Sequence, residues 1–358
     1  MSEKEKTQTV IGADITHGAV IDIGGSAMGA AILTRLRDAL YDTSEGSPIV
    51  LPDELLYDDK GLAIWAEIIF TPENYQATDE MKLFEANSPE IAKHIPEESV
   101  MVDLGAGDLR KVGILLAELE QRESKTTYLA LDISQASLSF NLETLSTKHS
   151  RVLTAGLWGD FSAGYAFVAA LPPSTPRVLL SLGSVLFNDE FQTALTSLQK
   201  WASLLQQSDI ILAGMDGHTL ADHRDKIWAA YHAHEDLFAR FWANGFEHAN
   251  RLLGGDILKP DDWDTCAELD EEQCRHRFFF RARRDIDIGE GRMLHSGCEM
   301  DWFDAHKNGV ERVRQLCGLA NLEVLKVWKA PGSEMYQYLL RKKGRAGSPA
   351  DSAISDMQ

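Results

Sequence analysis

The segment Val102-Asp103-Leu104-Gly105-Ala106-Gly107-Asp108-Leu109-Arg110-Lys111 closes one apolar run and opens a helical one. Gly105 and Gly107 let the backbone turn tightly and approach a ligand closely. The helix that follows offers unpaired N–H groups at its start. A second apolar run, Tyr128-Leu129-Ala130-Leu131-Asp132, ends in an acid 25 residues beyond Gly107. An acid in that position accepts hydrogen bonds from ribose hydroxyls. Two ligand classes fit. A dinucleotide site shows G-x-G-x-x-G, its third glycine allowing the helix to pack beneath a pyrophosphate, but here the third position is Arg110. S-adenosylmethionine has no pyrophosphate, and D-L-G-A-G-D followed by a ribose-binding acid suits it better. A strand-to-helix turn without a ligand is the plain alternative.

Two further segments follow apolar runs in the same way. Gly156-Leu157-Trp158-Gly159-Asp160-Phe161 would bring Asp160 to the adenine amino group and Phe161 to the adenine ring; the structural alternative for Asp160 is a helix N-cap. Ser181-Leu182-Gly183-Ser184-Val185-Leu186-Phe187-Asn188 would bring Asn188 to the sulfonium end of the cofactor and the acceptor's polar head, or leave it as a loop or capping asparagine. Val20-Ile21-Asp22-Ile23-Gly24-Gly25 imitates the pattern, yet no acid-terminated strand follows it, so it reads as an ordinary strand and turn.

These segments need a scaffold that brings their ends together. Short apolar runs at 100–104, 127–131, 151–155, 178–182 and 210–212 are each followed at once by Gly, Asp or Ala, with helical patterns between most of them. Continuous apolar strands alternating with helices predict a parallel sheet covered on both faces, which binds ligands at the carboxyl ends of its strands. Helices are predicted over 87–94, with Pro89 in the first turn, and over 109–122, where Val112, Leu115, Leu116 and Leu119 recur at helical spacing. An aromatic-rich helical stretch over 227–253 and strand-like runs at 275–281 and 292–298 suggest an inserted α/β lobe, with an antiparallel pair at 322–327 and 336–340 closing the main sheet. The expected division is a lobe from 16–77 plus 222–299 and a Rossmann-like core from 78–221 plus 300–342, with mobile ends at 1–15 and 343–358.

Composition sets outer bounds. The chain has 358 residues, 35 basic and 55 acidic side chains and a net charge of −20, which argues against a nucleic-acid partner. The basic run 281–284 reads as a solvated strand edge. No apolar stretch reaches the roughly 18 residues of a membrane span, and the polar N-terminus lacks a signal core, so a cytoplasmic enzyme with no membrane partner is expected. Cys266, Cys274, Cys298 and Cys317 read as reduced thiols. No metal is expected, because neither Cys274 with His276 nor the pairs His218/His223 and His232/His234 supply four convergent ligands.

The chain as a whole resembles the histidine-specific, S-adenosylmethionine-dependent methyltransferases of the ergothioneine pathway and their relatives in ergot alkaloid synthesis, the 4-dimethylallyltryptophan N-methyltransferases. The resemblance spans about 19–341 and includes Leu56-Tyr57-Asp58-Asp59-Lys60-Gly61, Thr71-Pro72-Glu73-Asn74-Tyr75, the glycine turn, Trp228-Ala229-Ala230-Tyr231 and Val327-Trp328-Lys329-Ala330-Pro331. It implies a Rossmann-like methyltransferase core with a second lobe. It also implies cofactor contacts from Tyr57, Gly105, Gly107, Lys111, Asp132, Asp160 and Phe161, and acceptor contacts from Asn188 and Tyr231.

Departures from the family pattern bear on the acceptor. The family's E-Y-Y reads Glu73-Asn74-Tyr75, placing Asn74 and Tyr75 toward the acceptor, and G-S-S-I-G-N reads Gly183-Ser184-Val185-Leu186-Phe187-Asn188. Histidine methylators carry E-x-S on a late strand, and the stretch matched to it here, 293–298, keeps neither residue. A site built on hydrogen bonds discriminates strongly by them. The resemblance therefore implies N-methylation of an aromatic amino acid related to tryptophan, with Leu186 and Phe187 against its side chain, in secondary metabolism. Histidine or another amino acid is the runner-up, and a cofactor-binding protein without turnover or an NAD-type oxidoreductase the reading from another class. The acceptor arrives as an ammonium, and three takers for its proton stand open: Tyr231, a nearby carboxylate, or water.

Overall fold

A computed structural model describes residues 7–10, 13–42 and 49–344; the expectations for the first six residues and for the tail from 345 fall outside them. β1 (Thr7–Val10) and β2 (Ala13–Thr16) pair antiparallel, where mobile chain was expected. β3 (Val20–Asp22), α1 (Met28–Arg37), β4 (Ile49–Val50), α2 (Asp59–Ile68) and α3 (Tyr75–Ile91) follow. Strands and helices then alternate: β5 (Val100–Leu104), α4 (Arg110–Gln121), β6 (Thr127–Asp132), α5 (Gln135–Lys148), β7 (Leu153–Trp158), α6 (Phe161–Ala170), β8 (Arg177–Ser181), α7 (Phe191–Ser203) and β9 (Ile210–Asp216). After α8 (Leu220–His232) and α9 (Glu235–Leu253) come β10 (Trp263–Asp270), β11 (Arg275–Ala282), β12 (Ile286–Asp287), β13 (Met293–Leu294) and β14 (Glu299–His306). The described chain closes with α10 (Val310–Leu319), β15 (Leu322–Lys329) and β16 (Met335–Lys342).

The main sheet has eight strands in the order β15-β16-β9-β8-β5-β6-β7-β3. From β3 to β9 neighbours run parallel, and β16 is antiparallel to both β9 and β15. Every residue of β5, β6, β8 and β9 is buried, as a sheet covered on both faces requires. Alternation sorts the side chains. Val102, Leu104, Leu129, Leu131 and Leu179 pack with Leu198 and Trp201 of α7 and Val313 and Leu316 of α10. Met101, Tyr128, Ala130, Val178 and Leu180 pack with Leu83 and Phe84 of α3, Leu115 and Leu116 of α4 and Leu138 and Leu142 of α5. The second lobe is a four-stranded sheet, β10-β11-β14-β4. Phe278, Phe280, Met300 and Phe303 of that sheet bury against Ile32 and Leu36 of α1, Ile64 and Ile68 of α2 and Phe238, Phe241, Trp242 and Phe246 of α9.

The lobe boundaries differ from expectation at both ends. β3 belongs to the main sheet, where it covers the outer edge of β7, an edge that would otherwise stand open. β14, assigned to the core from sequence, belongs to the lobe, because its apolar residues face the aromatic cluster. The helix expected at 87–94 begins at Tyr75 and holds Pro89 in its final turn. Lacking an N–H, Pro89 leaves the Glu85 carbonyl without its i→i−4 partner, and one turn earlier Asn87 Nδ2 donates to the Leu83 carbonyl at 2.8 Å. The stretch 227–253 is two helices broken at His234, whose φ and ψ of −130° and 64° are not helical. The strand-like run 292–298 contains only the two-residue β13, paired with β12.

The basic run 281–284 is neutralised locally: Arg281 pairs with Glu299 and Arg283 with Asp264, each at 2.8 Å, and Arg284 pairs with Asp262. All four cysteines are free thiols. Among the described residues no helix is long and apolar enough to cross a membrane.

Candidate active site

The chain leaves β5 through two left-handed residues, Gly105 (φ 69°) and Gly107 (φ 53°), a conformation that favours glycine. Gly105 N and Ala106 N both donate to the Leu131 carbonyl, at 3.1 and 3.0 Å, tying the turn to the end of β6. Asp132 completes the link. Its Oδ2 accepts from Gly107 N at 2.8 Å and its Oδ1 from Ser134 N at 3.1 Å. Burial pushes its carboxyl above the usual range, opposed by the Gly107 and Ser134 N–H groups. A carboxylate oxygen accepts about two hydrogen bonds, so each oxygen keeps capacity for a further donor.

Two observations fit these residues to S-adenosylmethionine. A Cβ placed on Gly105 would lie 3.5 Å from the Phe161 ring and 3.7 Å from Val185, so the glycine floors a narrow cradle between them. Beneath it, Asp103 accepts from the Tyr128 hydroxyl at 2.8 Å through Oδ2, while its buried Oδ1 has no hydrogen-bond partner. Burial raises the Asp103 carboxyl to about 6. A buried acceptor of this kind is costly until a donor reaches it.

The other cofactor candidates have mixed placements. Asp160 caps α6, its Oδ1 accepting from Ala163 N at 2.8 Å, and Phe161 is half-exposed beside Gly105. Tyr57 lies in the lobe, edge-on to Trp65 (5.8 Å) and Phe241 (5.4 Å), and burial lifts its hydroxyl well above the usual phenol range. Lys111 faces inward, Nζ 2.9 Å from Oε2 of the fully buried Glu80. Glu80 also accepts from Gly183 N at 3.0 and 2.9 Å and from Gln337 Nε2 at 2.5 Å. It thereby joins α3, α4, β16 and the loop after β8. Sequence reasoning missed Glu80, although its place on the face of α3 that carries Leu83 and Phe84 was a signal.

Around the acceptor candidates Tyr75 and Tyr231 the organising group is Asp216, at the end of β9. Its Oδ2 accepts from Tyr75 Oη (2.7 Å), Gln76 Nε2 (2.9 Å) and Lys307 Nζ (3.0 Å). Its Oδ1 accepts from His218 N (3.0 Å) and Nδ1 (2.7 Å). Burial alone would raise this carboxyl; Lys307 and His218 hold it well below the usual range. Lys307 and Gln76 also donate to the Tyr231 hydroxyl, at 3.0 and 3.1 Å. Tyr231 is 2% exposed and stacks on His276, ring centroids 4.3 Å apart. Burial pushes His276 down to about 2, so it is neutral. Asp216, Lys307, Gln76 and His276 were not foreseen.

Asn74 and Tyr75 start α3. Asn74 is 1% exposed and its Oδ1 has no hydrogen-bond partner. Asn188 bridges core and lobe: Nδ2 donates to the Asp304 carbonyl at 3.0 Å and Oδ1 accepts from His306 N at 2.8 Å. Its carboxamide therefore serves the junction with β14, close to the structural alternative. Phe187 departs further from expectation. Its ring is 0% exposed and packs edge-on to Tyr338 within the sheet core, because the chain after β8 turns back under the sheet. Only its carbonyl serves the loop, accepting from Asn308 Nδ2 at 2.9 Å. The late strand beside Tyr231 and Asn188 is β14, not the segment 293–298. Its Phe303 and Ala305 lie in the same cluster as Tyr231.

The sequence profile described as "histidine-specific methyltransferase, SAM-dependent" matches residues 32–342. The chain is 29% identical over 331 residues to ergothioneine biosynthesis protein 1 of Neurospora crassa, covering 91% of this chain but only 37% of that protein. This chain thus spans little more than a third of that relative's length. It is 30% identical over 297 residues to the N-methyltransferase dtpB of Aspergillus flavus, with 80% of each chain covered. With 4-dimethylallyltryptophan N-methyltransferase easF of Aspergillus fumigatus it shares 27% over 348 residues, covering 91% of this chain and 98% of the other. The chain belongs to the histidine-specific, S-adenosylmethionine-dependent methyltransferase family and is an S-adenosylmethionine-dependent N-methyltransferase.

Proposed function

We propose that this member of the family methylates the amine nitrogen of an aromatic, tryptophan-related amino acid. One observation carries the reading: the surroundings of Tyr231. Phe238, Phe278 and Phe303 surround it at 6.2, 6.5 and 6.1 Å between centroids, and Phe303 and Ala305 of β14 belong to the same apolar cluster. Such a wall suits an indole and rejects a small polar ring, since pockets discriminate by the hydrogen bonds they offer. The sequence identities to the ergothioneine and alkaloid relatives, 29% and 27%, do not separate the two acceptors.

Gly105, Gly107, Asp132, Asp160, Phe161 and Tyr57 hold the cofactor in this reading, with Lys111 acting through its ion pair to Glu80. Bound there, the cofactor supplies a methyl group to a neutral amine and leaves as S-adenosylhomocysteine. The protein's part is position and electrostatics. Tyr231 does not take the amine's proton, because its oxygen already accepts two hydrogen bonds and a hydroxyl has two lone pairs. That leaves a carboxylate or water. Burial, and next Asp301, lift the Asp304 carboxyl to about 7, but that carboxyl pairs with Arg275 at 2.8 Å and only its backbone carbonyl meets Asn188.

The test is incubation with methyl-labelled cofactor and a panel of tryptophan, 4-dimethylallyltryptophan, tyrosine, phenylalanine and histidine, read by mass spectrometry. Label on a tryptophan compound with histidine silent supports the reading. Label on histidine alone overturns it.

A further inference from the structure

Tyr231 is bound only as an acceptor. Its oxygen receives Lys307 Nζ at 3.0 Å and Gln76 Nε2 at 3.1 Å. The Gln76 amide cannot be turned over, because the same nitrogen donates to Asp216 Oδ2 at 2.9 Å, and its carbonyl oxygen would there face a carboxylate. A phenol has two lone pairs and one O–H. With both lone pairs taken, one by a cation, the proton is all that Tyr231 can still offer. Lys307 is fixed in turn by the ion pair to Asp216 at 3.0 Å, with side-chain exposures of 1% and 0%. The Nε2 of His218 lies 2.9 Å from Lys226 Nζ, so Nδ1 is the ring nitrogen that faces Asp216.

We propose that Lys307 is a positioning residue that acts through Tyr231, holding the phenol as an obligate donor so that the enzyme selects acceptors carrying a carboxylate beside the amine. This rests on the reading that the acceptor is an aromatic amino acid. An ammonium brought to Tyr231 would set donor against donor, whereas a carboxylate gives the buried O–H the acceptor it lacks. The pair therefore sorts the two ends of an amino acid, turning its carboxylate toward Tyr231 and its amine away.

The experiment compares L-tryptophan with tryptamine, which lacks only the carboxylate, by calorimetry on the full-length protein saturated with S-adenosylhomocysteine. A charge-assisted hydrogen bond is worth roughly 10- to 100-fold in affinity. The wild type is expected to prefer L-tryptophan by that factor. Lys307→Met and Tyr231→Phe should each erase the preference while leaving affinity for tryptamine and S-adenosylhomocysteine within about threefold, and the double variant should lose no more than either single one. A merely structural lysine would weaken both ligands together. Preference retained in Lys307→Met, or in Tyr231→Phe, overturns the proposal, as does a wild type that binds both ligands equally. If Lys307→Met fails to bind S-adenosylhomocysteine, Lys307→Gln, which keeps a donor and loses the charge, takes its place with the same criteria. A wild type that binds S-adenosylhomocysteine but no aromatic amino acid refutes the acceptor reading itself, and this proposal with it.

Discussion

Replacing Asp132 by alanine tests the cofactor site most directly. Each oxygen of the carboxylate already accepts one backbone N–H, from Gly107 at 2.8 Å and Ser134 at 3.1 Å, which leaves one lone pair on each for a ribose hydroxyl. Hydrogen bonds to a charged group contribute about 1.5–3 kcal/mol apiece, giving roughly 3–6 kcal/mol gross for two. Water entering the space left by alanine would recover part of this, so the expected loss is about 2–4 kcal/mol, a rise in Kd of roughly 30- to 1000-fold. The assay is calorimetric titration with S-adenosylhomocysteine, with circular dichroism confirming the fold. Asp132→Asn serves as the companion, because its one carbonyl oxygen keeps one of the two N–H partners and should lose less. A folded Asp132→Ala whose affinity lies within about threefold of wild type would refute the reasoning, since the ribose would then be held elsewhere.

Glu80→Gln should destabilise the protein by about 3–5 kcal/mol in urea titration, because it leaves Lys111 without its buried partner at side-chain exposures of 0% and 12%; a loss below about 1 kcal/mol would show that the cluster is not structural. His276 gives a pH dependence whose sign is fixed. Burial holds it neutral in the fold, pushed down to about 2 from 6.5, so the unfolded chain binds the proton first and stability falls as pH drops below about 6.5. Relative to His276→Phe, the wild type should lose about 2 kcal/mol of unfolding free energy between about pH 7.5 and about pH 5. Equal pH profiles for the two proteins would count against a buried neutral imidazole.

The sequence by itself determined the sheet and the cofactor turn. β5, β6 and β8 lie within two residues of the apolar runs at 100–104, 127–131 and 178–182, and the pairing of Gly107 with Asp132 follows from two adjacent parallel strands whose carboxyl ends must meet. Both are consequences of short-range spacing, which a chain cannot hide. The polar cluster around Tyr231 was decided by tertiary structure. Gln76, Asp216 and Lys307, which surround the foreseen Tyr231, come from α3, β9 and the residue after β14, and none carries a local mark that sets it apart from a solvated polar residue. A buried lysine or glutamate is readable only when its partners are known, and these partners lie up to 257 residues away along the chain, as for Glu80 with the Gln337 amide. The same reason explains Phe187: its motif position was legible, but which face of the turn its ring would take depended on strands folded much later in the sequence.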